Sequence, residues 1–431
     1  SATVQSSTIN MSNTILGAGM LAMPSAIAST GLVFGGFLIV FSACCSGFGL
    51  YLLSRCAAET RSRDASFYRV AQRTYPQAAT IIDLAIAVKC FGVGVSYLII
   101  IGDLMPEVVR AMLGDTAAPW LTSRTLWITF FMLVIVTPLS FLPRLDSLRH
   151  TSMAALVAVA YLFMLVVGSY TSPAWIPPRP ELPPRPHPGN MPWFKFSADF
   201  LTKLPIFVFA FTCHQNIFTV YNELVDNSQH YVNRVIRYSM MAGLFVYEFI
   251  GITGYLSFGD RVLPNVILMY NQSMLVTCGR AALVILQVFS FPLQCHPCRA
   301  SLDKVISHRP STTRTAQSGA PRRPMSDRRF TIITACILLS SYLLAISVTQ
   351  LDLVLSLVGA TGSTTISFIL PGLFYWRLTQ PHHDRPDDLA VQATPSRKTP
   401  LVRWLAGALA GYGICVLCVC VSFTLKRALF H

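Results

Sequence analysis

The chain has 431 residues, of which 53% are hydrophobic and only 12% are charged, and its mean hydropathy is +0.53. Soluble domains carry roughly 25% charged residues, so the composition excludes a soluble enzyme, a disordered protein and a secreted disulfide scaffold. The net charge of +14 comes from Lys and Arg residues between apolar stretches, which indicates membrane topology rather than nucleic-acid binding. These apolar stretches are about 20 residues long and do not alternate with polar residues, which is typical of membrane-spanning helices and not of a β-barrel.

The hydropathy pattern predicts an all-α polytopic membrane protein with eleven transmembrane helices. The predicted segments lie near residues 7–29, 33–54, 79–105, 124–142, 151–171, 200–221, 236–258, 273–295, 330–350, 353–376 and 402–425. When the loops are assigned alternately to the two sides, 22 Lys and Arg residues fall on one side and 8 on the other. This excess predicts a cytoplasmic N-terminus and, with an odd number of segments, a C-terminus that is outside or lumenal.

The stretches between the segments differ in character. The outer loop 172–199 is rich in proline, which predicts an extended polyproline conformation on the surface. The inner loop 299–329 is rich in Ser, Thr, Arg and Pro, which predicts disorder, and the inner linker 377–401 has mixed charge. The stretch 61–78 is too polar to span a bilayer and is predicted to form a short amphipathic helix on the inner face. The 12 cysteines lie in or beside the segments, which favours packed or lipid-facing thiols over disulfides or metal ligands.

Segment 1 has helix-breaking and amide residues at its centre, where a lipid-facing helix would not concentrate them. Asn10 and Asn13 precede Gly17 and Gly19, and Pro24 follows. This pattern predicts a helix that is interrupted at mid-membrane, where freed backbone N–H and C=O groups can bind a substrate carboxylate, an amine and a cation. The alternative is that the small residues only allow close helix packing.

Segment 6 repeats the pattern, with Pro205 followed by Thr212, His214, Gln215 and Asn216. Polar residues inside a membrane segment are candidates for function. Because the two interrupted segments are five helices apart, the pattern favours a transporter built as a five-plus-five inverted repeat. The first repeat would then span 1–171 and the second 200–376, and residues 402–431 would form an added eleventh helix and a C-terminal tail.

Several blocks of the sequence resemble the amino acid/auxin permease family, and within it the sodium-coupled neutral amino acid transporters and the vacuolar amino acid transporters. The blocks that carry the resemblance are residues 10–21, 209–224, 254–259, 357–362 and 371–375. The resemblance implies a LeuT-like fold with an added helix. It also implies secondary active transport of amino acids by alternating access, driven by Na⁺ or H⁺.

The same resemblance implies positions for a substrate and an ion. The substrate carboxylate would meet backbone N–H groups near Gly17, Ala18 and Gly19, and the amine would meet carbonyls near Phe209 and Phe211. The other substrate-site candidates are Tyr97, Thr212, His214 and Thr361. A Na⁺ ion would be held by Asn13 and Ser290, although the family often has Thr where this chain has Ser290.

Three of the titratable residues inside the predicted segments, Lys89, His214 and Glu248, are candidates for function. Lys89 and Glu248 have apolar neighbours on both sides, and two hypotheses are open for them. The first hypothesis is that Lys89 and Glu248 form a static pair that fixes helix packing. The second is that Glu248 titrates during proton coupling. His214 is either a pH-sensitive group beside the substrate or a hydrogen-bonding spacer that holds segment 6 open.

The sequence contains no P-loop, no H-E-x-x-H and no nucleophile-elbow motif, so we expect neither an ATP-driven pump nor an enzyme. We expect no cofactor beyond Na⁺ or H⁺ as the coupling ion, and the expected partners are an amino acid and the lipid bilayer. We expect that the protein does not bind nucleic acid and that it is a monomer. The alternative function is an amino acid sensor on the same fold, which would signal through its inner loops with little transport. Neither the amino acid nor the membrane, plasma or vacuolar/lysosomal, follows from the sequence.

Overall fold

A computed structural model describes residues 2–60, 63, 65–116, 118–142, 149–175, 177–180, 191–196, 198–306, 326–380 and 399–430. Within these ranges the chain is helical, and its only β pairing consists of the isolated bridges Ala2–Leu224 and Pro178–Tyr270. Most of the predicted disordered loop, residues 307–325, and most of the inner linker, residues 381–398, lie outside the described residues.

The first half of the chain forms α1 (Val4–Ile15), α2 (Gly19–Thr30), α3 (Leu32–Glu59), α4 (Phe67–Thr74), α5 (Ala79–Leu113), α6 (Arg124–Phe131), α7 (Thr137–Ser140) and α8 (Arg149–Thr171). The second half forms α9 (Ala198–Ala210), α10 (Ile217–Glu223), α11 (Gln229–Phe258), α12 (Met274–Ile306), α13 (Asp327–Ser347), α14 (Leu351–Val358), α15 (Leu370–Leu378) and α16 (Thr399–Phe430). Wider π-helical turns join α6 to α7 (Met132–Val136) and α14 to α15 (Gly359–Ser363 and Thr365–Ile369).

The predicted helical membrane architecture is confirmed. Among the described residues, eight helical stretches are long and apolar enough to cross a membrane, and two shorter apolar helices, Arg124–Ser140 and Ala155–Thr171, accompany them. Each of the eleven predicted segments contains helix, and non-helical residues interrupt segments 1 and 6. The count of eleven membrane crossings and the inverted repeat stay predictions. The helix predicted within 61–78 is α4, which buries Phe67 and Val70 and exposes Arg69 and Arg73.

Both predicted interruptions are present. In segment 1, α1 ends at Ile15 because the backbone of Leu16 leaves the helical region at φ −78° and ψ 76°, and α2 begins at Gly19. In segment 6, α9 ends at Ala210 and α10 begins at Ile217, with a 3₁₀ turn between them. The two interruptions leave carbonyl groups without their usual helical N–H partners.

Helix α2 lies at the centre of the bundle, where all of its residues are buried and α3, α9 and α11 pack around it. Glycines let α11 approach both halves of segment 1. An added Cβ at Gly243 would lie 2.7 Å from Ile15, and one at Gly254 would lie 2.6 Å from Pro24. Small residues at such contacts allow two helix backbones to pack closely. The close packing brings side chains of α11 to the interruption in segment 1.

One end of the bundle, here called the proline-loop end, is covered by the described parts of loop 172–199. Residues 191–196 cross the turn between α2 and α3, where the backbone N–H of Leu32 donates to Pro192 (3.1 Å) and that of Lys195 donates to Thr30 (2.7 Å). Gly31 has a φ of +87°, and an added Cβ would lie 2.9 Å from the Pro192 carbonyl oxygen, so the turn requires glycine. The predicted polyproline stretch includes residues 181–190, which lie outside the described part of the chain.

At the opposite end, the chain that follows α10 is held by two contacts. The backbone N–H of Ala2 donates to Glu223 (2.7 Å), and that of Val225 donates back to Ala2 (3.1 Å). The guanidinium of Arg63 donates to the carbonyls of Leu224 (3.1 Å) and Val225 (2.9 Å). Segments 1 and 6 are therefore joined to each other at the end where segment 1 begins.

Candidate functional site

The two interrupted helices meet in the middle of the bundle. An added Cβ at Gly19 would lie only 3.2 Å from the Ala210 Cα, so the start of α2 is in backbone contact with the end of α9. The side-chain amide of Asn216 donates to the Thr14 hydroxyl at 2.7 Å, which ties α1 to the turn in segment 6. The structure therefore brings together the two interruptions that the sequence predicts.

The interruption in segment 1 offers free donors. The N–H of Gly17 turns back to the Ile15 carbonyl (2.9 Å), and the N–H of Met20 donates to Gly17 (3.2 Å). The N–H groups of Ala18 and Gly19 donate to no carbonyl in the described part of the chain. These two groups lie where the sequence predicts contact with a substrate carboxylate, and unpaired N–H groups at a helix start attract anions.

Other predicted substrate residues surround this point. The Tyr97 hydroxyl lies 3.9 Å from the position that a Gly17 Cβ would occupy, so Tyr97 faces the interruption in segment 1. The Phe209 carbonyl accepts the Thr212 N–H at 3.0 Å, which leaves one of its two lone pairs for another donor. Phe211 is buried. The Thr361 hydroxyl donates to Leu357 within its own segment at 2.6 Å, which occupies its hydrogen.

His214 is fully buried in a chain of hydrogen bonds that crosses three segments. Its Nε2 lies 3.0 Å from the backbone oxygen of Ser46 in α3, and its Nδ1 lies 3.0 Å from the Ser367 hydroxyl. The Ser367 hydroxyl is also 3.3 Å from the Thr212 hydroxyl. The Ser46 carbonyl can only accept, so Nε2 carries a hydrogen in this assignment. His214 and Thr212 are predicted from the sequence, but Ser46 and Ser367 are not, because small serines in apolar helices are typical packing residues.

Lys89 and Glu248 do not meet. Lys89 is buried on α5 against the π-helical turn of segment 10, where an added Cβ at Gly362 would lie 2.6 Å from the Lys89 Cβ. Glu248 is half-buried and lies beside Gly36 of α3. The ion pairs of the described residues include none between the two, because they point to different neighbours in the bundle.

The predicted Na⁺ ligands are placed on different helices, with Asn13 in α1 and Ser290 in α12, and both are partly buried. The sodium site therefore stays a prediction.

Tyr247 is a residue at the interruptions that the sequence analysis missed. It is fully buried on α11, and its hydroxyl lies 2.6 Å from the Ile15 carbonyl oxygen and 3.1 Å from that of Ala210. A tyrosine in an apolar helix is typical of packing. Its spacing from Gly243 and Gly251, four residues on either side, is the signal that places it on the face that contacts segment 1.

A cluster of charged residues lies at the proline-loop end. Glu107 accepts from Arg179 of the proline-rich loop, from Arg110 (2.8 Å) and from Arg280 (3.5 Å). Arg280 is fully buried and also donates to the Tyr270 carbonyl at 2.9 Å. This cluster holds the loop to α5 and α12 and contains no predicted site residue.

Comparison with known proteins agrees with this architecture. The family described as "Transmembrane amino acid transporter protein" matches residues 1–397. The chain is 42% identical over 429 residues to vacuolar amino acid transporter 5 of Schizosaccharomyces pombe, covering 98% of this chain and 94% of that protein. It is 37% identical over 464 residues to vacuolar amino acid transporter 6 of Saccharomyces cerevisiae, covering 99% of each. It is also 26% identical over 399 residues to sodium-coupled neutral amino acid symporter 2 of Danio rerio, covering 88% and 76%.

These matches confirm the family that the sequence blocks resemble, and the relatives are transporters rather than enzymes. Together with the apolar helices and the paired interruptions, they lead to one conclusion. The chain belongs to the transmembrane amino acid transporter family, the amino acid/auxin permeases, and is an integral membrane protein.

Proposed function

We propose that this protein moves amino acids across a vacuolar membrane by secondary active transport, with protons as the coupling ion. The observation that carries the proposal is the backbone contact between the two interrupted helices at Gly19 and Ala210. Free N–H donors and freed carbonyls meet there, as the carboxylate and the ammonium of an α-amino acid require. Two relatives at 42% and 37% identity are named vacuolar amino acid transporters, which supports the vacuolar location.

Substrate recognition would use groups common to all α-amino acids. The N–H groups of Ala18 and Gly19 would bind the carboxylate, and carbonyls near Phe209 and Phe211 would accept from the ammonium. Tyr97 would form part of the wall beside them. Because backbone atoms bind the invariant part of the substrate, the surrounding side chains would set its selectivity.

Alternating access requires the two ends of the path to open in turn. We infer that this conformation is closed at both ends, because residues 191–196 cover the turn at Gly31 at one end, and Ala2 and Arg63 bond to the chain after α10 at the other. A coupling ion drives transport only if it binds the two open states with different affinity.

His214 supports a proton as that ion. With Nε2 bonded to the Ser46 carbonyl, the neutral ring accepts the Ser367 hydroxyl at Nδ1. The protonated ring would donate to the same oxygen after that hydroxyl turns towards Thr212, so the network accommodates both protonation states.

Sodium is the second candidate for the coupling ion. The similarity to a sodium-coupled neutral amino acid symporter and the asparagine at position 13 favour it. In that case Asn13 and Ser290 would hold the ion.

The test is uptake of radiolabelled amino acids into proteoliposomes that contain the full chain, under a pH gradient or a Na⁺ gradient in turn. We expect accumulation under the pH gradient that is lost in His214→Gln and retained in Asn13→Ala. Accumulation that is driven by Na⁺ and lost in Asn13→Ala would show that sodium, and not the proton, is the coupling ion. Specific binding without uptake under either gradient would contradict the proposal and favour an amino acid sensor.

A further inference from the structure

The Tyr247 hydroxyl occupies a position that the ends of two helices create. In an uninterrupted helix, the Ile15 carbonyl would accept the N–H of Gly19, and the Ala210 carbonyl would accept that of His214. Both bonds are lost at the interruptions. The Tyr247 hydroxyl lies within hydrogen-bonding distance of both carbonyl oxygens, at 2.6 Å and 3.1 Å.

The hydroxyl has one hydrogen, so it can donate to only one of these oxygens at a time. The shorter distance assigns the hydrogen to Ile15 at the end of α1, and the Ala210 carbonyl at the end of α9 is the alternative acceptor. A rotation about the C–O bond would pass the hydrogen from one helix to the other without leaving the hydroxyl unsatisfied. Tyr247 is fully buried, so water does not compete for these positions.

The packing of α11 fixes the tyrosine in this place. An added Cβ at Gly243 would lie 2.7 Å from Ile15, and the ring of Phe211 lies edge-on to the Tyr247 ring at a centroid distance of 5.1 Å. An added Cβ at Gly19 would lie 3.3 Å from the hydroxyl oxygen. The ring therefore has little freedom, and the hydroxyl moves relative to a carbonyl only when a helix moves.

We propose that Tyr247 is a positioning residue that holds α1 against α11 in the closed conformation, and that its hydrogen passes from the Ile15 carbonyl to the Ala210 carbonyl when α1 moves away. The inference rests on the proposed alternating-access function and assigns to Tyr247 a conformational step, not contact with the substrate. The bond to Ile15 stabilises the closed state, and the bond to Ala210 keeps the hydroxyl satisfied after release.

The test compares Tyr247→Phe with wild type in proteoliposomes, using the amino acid that wild type accumulates fastest. Tyr255→Phe is the matched control, because Tyr255 is on the same helix, is also fully buried, and has its hydroxyl beside Asp260 instead. One net hydrogen bond changes a conformational equilibrium by about fivefold. We expect Tyr247→Phe to lower the maximum uptake rate about fivefold while the equilibrium dissociation constant changes less than about twofold.

A second readout does not depend on transport. Cys213 is fully buried in the interruption of segment 6, so its reaction with a small maleimide reports how often the interruptions separate. We expect this reaction to be about fivefold faster in Tyr247→Phe than in wild type, with the difference abolished by Cys213→Ser. If the phenylalanine variant does not fold, 3-fluorotyrosine at position 247 strengthens the donor, and the reaction should then be slower than in wild type.

Unchanged uptake and unchanged Cys213 reactivity in Tyr247→Phe would overturn the inference. Weaker substrate binding at an unchanged maximum uptake rate in Tyr247→Phe would indicate that Tyr247 contacts the substrate. An equal loss of uptake in Tyr255→Phe would indicate that Tyr247 acts only through packing. Either result would also overturn the inference. If the wild-type protein accumulated no amino acid, the proposed function would be wrong. The Cys213 reaction would still decide whether Tyr247 holds α1 against α11.

Discussion

Replacing Ser367 by alanine tests whether the hydrogen bonds of His214 set the pH dependence of uptake. The Ser367 hydroxyl lies 3.0 Å from Nδ1 of a fully buried ring, so water cannot replace it. The neutral ring would lose an ordinary hydrogen bond of about 1 kcal/mol, whereas the protonated ring would lose an acceptor for a charged N–H worth about 2 kcal/mol.

The difference of about 1 kcal/mol falls on the protonated form and corresponds to about 0.7 pH units. Because the variant destabilises the protonated form more, protonation requires more acid. We expect the pH of half-maximal uptake in Ser367→Ala to be about 0.7 units lower than in wild type. The assay is the initial rate of uptake into proteoliposomes across a series of external pH values at a constant pH difference.

Ser363→Ala is the matched control. Ser363 lies in the same π-helical region, is fully buried, and its hydroxyl has no hydrogen-bond partner among the described residues. Its removal should leave the pH profile unchanged. A wild-type pH profile in Ser367→Ala, with proton-driven uptake retained, would refute the reasoning, as would an equal shift in Ser363→Ala.

Two predictions concern stability, measured as the melting temperature of purified protein in detergent. Gly362→Ala places a Cβ 2.6 Å from Lys89, a contact that the helix backbones cannot relieve, so we expect a loss of about 1–3 kcal/mol. A Cβ added at Gly411 would have no atom within 4 Å, so Gly411→Ala should melt like wild type. Equal melting temperatures of the two variants would contradict the close contact between Gly362 and Lys89. Glu107→Gln removes the charge partner of a buried guanidinium and should cost about 3 kcal/mol. Asp260→Asn breaks the exposed ion pair with Lys195 and should cost less than about 1 kcal/mol. A larger loss of stability in Asp260→Asn than in Glu107→Gln would contradict this ranking.

Local patterns in the sequence are enough to predict the class of protein, its helical segments and the two interruptions. Hydropathy over about 20 residues measures whether a helix is stable in lipid, and this is a local property. The interruptions were also predictable, because Gly17, Gly19 and the polar run after Pro205 weaken a helix wherever it lies. The similarity of short blocks to a family added the transport function.

Which side chains face one another depends on how the helices pack in three dimensions. Lys89 and Glu248 are both charges in apolar helices, but the rotation of α5 and α11 sends them to different neighbours. The same packing brings Tyr247 to both interruptions and Ser367 to His214. Helix rotation depends on contacts between small residues that are far apart in the chain, and hydropathy does not record it. The partners of buried polar groups therefore follow from the assembled bundle alone.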